Sequence, residues 1–248
     1  MNRATGQLFL LHFFGNALVL WLAYYWLGIG ESDGAHLAWS AIVLIAAACA
    51  AVWMHGAAMV LFRPGANRDF AGAAKTALRH VPALLAVAVI AALIYSLLAY
   101  WNNSFGHRAF VIGSYLTLKF RKPVSPESVL RWYRALIWIV RWLVVPGVLV
   151  PLAASVASFG WRGFRVRAPG RIKNIVYSLV VCALLLAGVL APLKLILWVP
   201  QISAFAWQMA SFLARLGAGY LLFVAALLLL EFVTSAGKPR ATQASTAA

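Results

Sequence analysis

Three histidines sit in or at the edge of long apolar runs: His12, His55 and His80. A buried imidazole needs a partner, because an unpaired polar group in an apolar medium is costly. His12 comes early in the first run and His55 late in the second. In an antiparallel hairpin these positions reach similar depth. Two facing imidazoles could bind haem or a metal ion. They could also hydrogen-bond between helices, and Asn16, one turn after His12 on the same face, is a ready polar companion. Gly15 and Gly56 lie beside the two histidines and permit close helix approach. The alanine-rich second run leaves little room for a haem. The expectation is an interhelical polar cluster of His12, Asn16 and His55 in a colourless protein with no cofactor and no metal. A redox cofactor anchored by His12 and His55 is an alternative. His80 stands at the entrance of the third run.

The five acids are Glu31, Asp33, Asp69, Glu127 and Glu231. None reads as central in an apolar run, and Glu231 falls near the end of the last. A proton or cation carrier usually needs an intramembrane carboxylate, so that class is weakened. Glu231 and Lys194 fall on opposite membrane sides and are not paired. Lys194 and Arg215 are expected to snorkel to the outer interface. The chain has no GxSxG, HExxH, Walker or GxGxxG motif, and no enzymatic activity is expected. Cys49 and Cys182 lie inside apolar runs without CxxC spacing, which argues against a disulfide framework or a structural zinc site.

A second group is basic. Ser125-Pro126-Glu127 reads as a helix start, with a capping hydroxyl, a first-turn proline and an acid at the positive helix end. Arg131, Arg134, Trp138 and Arg141 then recur on one helical face. The expectation is an amphipathic interfacial helix whose arginines Arg131, Arg134 and Arg141 reach anionic lipid headgroups before a shorter span. Pro146 and Pro151 follow, and either can kink that span.

The elements that must position these residues follow from composition. Of 248 residues, 64% are hydrophobic and 10% charged, against about 45–50% and 25% in soluble domains. Six runs approach the roughly 20 residues needed to cross a bilayer: Leu8–Gly28, Leu37–Phe62, Val81–Trp101, Ala135–Phe159, Ile175–Trp198 and Arg215–Val233. Their backbones must be helical, since lipid offers no hydrogen-bond partner. Tyr24, Tyr25, Trp26, Trp39, Tyr100, Trp101 and Trp198 mark one membrane side as an aromatic belt. The fold class is therefore all-α: a polytopic transmembrane helical bundle of about six spans with an additional amphipathic interfacial helix. Residues 1–236 form a single transmembrane domain and 237–248 a disordered tail.

The net charge of +16 sits mostly in short segments between runs, the pattern of topology-setting charge, not of nucleic-acid binding. Arg63, Arg68, Lys75, Arg79, Arg162, Arg165, Arg167, Arg171, Lys173, Lys238 and Arg240 fall on the N-terminal side, while Glu31 and Asp33 occupy the first opposite loop. Both termini are thus expected in the cytoplasm. The segment from Asn102 to Arg134 is basic yet falls outside, so spans three and four either cross simply or form a re-entrant pair. Arg63-Pro64-Gly65 faintly echoes Ala168-Pro169-Gly170, too little for internal symmetry.

Arg68-Asp69-Phe70 through Ala77-Leu78-Arg79-His80 reads as a short basic amphipathic lead-in helix running into span three. In this it resembles bacterial six-helix inner-membrane proteins such as the membrane domain attached to glycerophosphodiester phosphodiesterases. That resemblance implies an envelope- or lipid-related role and transfers no functional residue. The leading functional expectation is a non-enzymatic, multi-pass component of the bacterial inner membrane. Its partners would be the lipid bilayer with anionic headgroups and other membrane proteins. A transporter or channel for a small uncharged or anionic solute is the runner-up.

Overall fold

The computed structural model describes residues 3–30, 32–63, 69–165, 175–201 and 204–235. The tail and the charges Glu31, Arg68, Arg167, Arg171, Lys173, Lys238 and Arg240 lie outside these residues, as does the Pro-Gly echo. Every regular element among them is helical: α1 (Arg3–Leu27), α2 (Gly34–Leu61), α3 (Phe70–Ser104), α4 (Gly106–Phe120), α5 (Pro126–Ile139), α6 (Val145–Phe159), α7 (Ile175–Leu185), α8 (Ala191–Leu197) and α9 (Phe205–Ser235). Single π-helical turns join α5 to α6 (Val140–Val144) and α7 to α8 (Leu186–Leu190). Among the described residues, six helical stretches are long and apolar enough to cross a membrane.

Side-chain contacts establish the alternation of the spans. At the end where α1 begins, here the proximal end, Leu8 packs with Ala58, Leu61 and Ala73. Ala83, Leu84 and Val87 of α3 meet Val156 and Ala157 of α6. Tyr177 and Val181 of α7 meet Leu230 of α9. At the distal end the Trp39 indole donates to the Tyr25 hydroxyl at 3.1 Å, and the Tyr95 hydroxyl donates to the Arg141 carbonyl at 3.0 Å. The second half of α2 lies at the centre, touching α1, α3, α6 and α9, as its run of small residues requires.

Local signals explain the boundaries. Asp33 caps α2, accepting the His36 N–H at 2.9 Å and its ring nitrogen at 2.8 Å; these hydrogen bonds hold the carboxyl below its usual range. Asp69 caps α3 by accepting from Ala71 and Gly72. The lead-in to span three is therefore not a separate helix but the first turns of a 35-residue one. The sixth span likewise starts ten residues before Arg215, at Phe205.

Both π turns precede a proline, Pro146 and Pro192. A proline ring clashes with the carbonyl four residues back and offers no N–H. In each case the residue before the proline bonds five residues back instead: Val145 N–H to Val140 O, and Ala191 N–H to Leu186 O.

The basic segment between spans three and four is a helical hairpin. Thr117 Oγ1 accepts the Val124 N–H at 2.9 Å and donates to the Gly113 carbonyl. Arg121 adopts a left-handed conformation at the turn. The Phe105 and Tyr133 rings stack with centroids 3.5 Å apart. Helices α3 and α5–α6 are each long enough to cross on their own, as simple alternation requires.

Candidate functional site

The proximal core encloses the most polar cluster of the described residues. His12 of α1, His55 of α2 and Glu231 of α9 converge there. His55 Nδ1 and Glu231 Oε1 share a hydrogen bond of 2.6 Å. His12 Nε2 lies 3.2 Å from Glu231 Oε2, but the approach is too poorly aligned for a hydrogen bond, and neither atom has another partner among the described residues. The two imidazoles lie 5.2 Å apart at 60°. His12 is 0% and Glu231 2% exposed, whereas His55 at 26% forms the open side. One nitrogen or oxygen from each residue can be chosen so that all three lie within 4.8 Å of one another.

Packing makes this convergence possible. Gly15 lets α1 approach α2: a Cβ there would lie 2.5 Å from Met54 Sδ. Gly56 works differently from the expectation, because its open side faces Leu84 of α3 and not α1. The hydroxyl of Tyr220 on α9 donates to the Phe13 carbonyl, binding α9 to α1 beside His12. Thr234 and Tyr177 hydroxyls meet at 3.1 Å, binding α9 to α7.

The sequence expectation for this cluster changes in two respects. His12 and His55 do come together, but each turns to Glu231, so the partner across helices is a carboxylate. Asn16 is buried beside them, yet its amide donates to the His12 carbonyl of its own helix at 2.8 Å. That bond secures the turn carrying His12 and does not cross between helices. Glu231 reads in sequence as a span-end residue, so its pairing with the two histidines is not expected there. The usable signal was its distance from the proximal end of span six, similar to that of His12 in span one.

The remaining candidates are dispersed. His80 donates from Nδ1 to the Ala157 carbonyl at 2.8 Å, closing the C-terminal end of α6 against α3. Arg131 and Arg134 are exposed on α5, which buries no residue. Arg141 is exposed on the following π turn, with Tyr95 and Trp142 rings about it. Arg215 departs from simple snorkelling: it donates to the Leu195 and Ile196 carbonyls at the end of α8. No family model, curated protein or solved structure matches the chain.

Proposed function

We propose that this protein is a non-enzymatic component of the bacterial inner membrane that works by binding another transmembrane segment along the distal half of α9. One observation carries this reading. Ala206, Ala210, Ala214 and Ala218 recur every fourth residue of α9, and all four are exposed. None of Phe205–Ala218 is buried by the rest of the chain. In lipid, helices associate through close packing and not through hydrophobic drive, so small residues four apart make a favoured contact face. A Cβ at Gly217, on the same stretch, would meet nothing within 4 Å. The basic residues Arg63, Lys75, Arg79, Arg162 and Arg165 at the proximal end support a cytoplasmic location for it, and the likeness of the span-three lead-in supports an envelope role.

A photo-crosslinker at Leu213, beside the stripe, should trap one discrete membrane protein in native membranes. The same probe at Leu10, equally lipid-facing but proximal, should not. A210I with A214I should abolish the product while leaving the bundle folded. Crosslinks to lipid alone, or a product indifferent to A210I/A214I, would defeat the reading. Saturable solute flux in proteoliposomes would then favour transport.

A further inference from the structure

We infer that His12, His55 and Glu231 form a binding site for a divalent first-row transition-metal ion, with zinc as the reference ion. The inference rests on chemistry separate from the α9 stripe. Two imidazoles and a carboxylate are a ligand set of intermediate softness, suited to zinc or ferrous iron and not to calcium or magnesium. The three residues come from three different spans, so the ion would join α1, α2 and α9.

The geometry of the His12–Glu231 contact separates an ion site from an ordinary polar clasp. A clasp aligns a proton between its heavy atoms. Here Nε2 and Oε2 face each other at 3.2 Å without that alignment, and both are sealed from other partners. Ligands at about 2.0–2.1 Å around a tetrahedral ion stand roughly 3.3 Å from one another. The spacing is thus that of two ligands on one ion. The second contact, His55 Nδ1 to Glu231 Oε1 at 2.6 Å, is a proton-sharing distance. For His55 to ligate through Nδ1, the pair must open by roughly 0.7 Å to reach the same ligand spacing. His55, the partly exposed member, is the side from which an ion would enter and where a fourth ligand would stand.

The balance of charge also favours a cation. A carboxylate in a membrane interior requires compensation, and His12 and Glu231 are both buried. Arginine and lysine contribute no contact to Glu231 among the described residues.

The test uses the full chain in mild detergent, stripped with a chelator and reloaded with zinc chloride. Wild-type protein should retain about one zinc per chain after gel filtration. Its thermal midpoint should rise with zinc and saturate at that stoichiometry. Cobalt(II) should give the intense visible bands of a four-coordinate site. E231Q preserves side-chain volume and a hydrogen-bonding edge towards His55; it should remain helical but lose the zinc and the shift. H36A, which removes the exposed Asp33–His36 pair, should retain both. Wild-type protein that holds no zinc would overturn the inference. So would equal zinc content in wild type and E231Q, which would mark surface binding. Should E231Q fail to fold, zinc stoichiometry and the cobalt spectrum of wild type and H36A decide the matter.

Discussion

The proximal and distal halves of the bundle are built on different principles. In the proximal half each span turns some side chains into a shared core, and His12, Asn16, Glu231 and Thr234 are buried there with hydrogen-bonding or charged neighbours. In the distal half, α1 buries nothing from Ala17 to Leu27, α9 nothing from Phe205 to Ala218, and α5 nothing at all. The difference teaches that hydrophobicity selects the membrane, whereas small residues and polar pairs select which helices touch. Where those contacts are absent, helices remain side by side with lipid-facing surfaces on several flanks.

The strongest way to break this contrast is to remove the centre of the proximal half. E231A strips His12 and His55 of their shared partner and should destabilise the bundle by about 3 kcal/mol, the lower range for breaking a buried ionic contact. Reversible unfolding in mixed micelles would measure it. A loss below about 0.5 kcal/mol, the scale of an ordinary surface substitution, would show that the polar cluster does not hold the helices together.

A milder probe compares glycines. G15A drives a methyl group to within 2.5 Å of Met54 Sδ and should cost a net of about 1 kcal/mol, overpacking in the core outweighing the helix propensity gained. G217A, with nothing within 4 Å, should be neutral or stabilising by up to about 1 kcal/mol through helix propensity. Equal effects at the two positions would erase the difference between the halves.

Much of this organisation was legible beforehand. The six spans follow from run length, and the Tyr25–Trp39 contact was foreshadowed by the aromatic ends of spans one and two. The shared depth of His12 and His55 followed from hairpin register. What register does not provide is azimuth. Whether Gly56 faces α1 or α3 depends on how three helices pack, and the chain places it against Leu84. Glu231 was visible as a residue, but its burial depended on α9 closing the ring back to α1, a contact between the first and last spans. Helix α4 was hidden inside a segment that composition marks only as basic.

The smallest expected effect on folding concerns the distal arginines. Charge-neutral replacement of Arg131, Arg134 and Arg141 together should leave folding almost unchanged, since all three are exposed. Binding of anionic vesicles should fall by about 1 kcal/mol for each arginine that reaches the surface. Added salt should weaken the parent and spare the variant. A parent insensitive to salt would remove these residues from the headgroup layer.

The π turn at Val140–Val144 inserts a phase shift between two pieces of one span. One residue of helix corresponds to about 100° of rotation, so the extra residue sets the compass bearing of α5 independently of α6. Below the turn Val145, Pro146 and Gly147 are buried; above it Arg131 and Arg134 look outward. Deleting a single residue there would shorten the span by only about 1.5 Å, yet it would swing the arginine face around the barrel of the helix. The span is tolerant in length and exacting in bearing, and the proline that follows keeps the two bearings from merging.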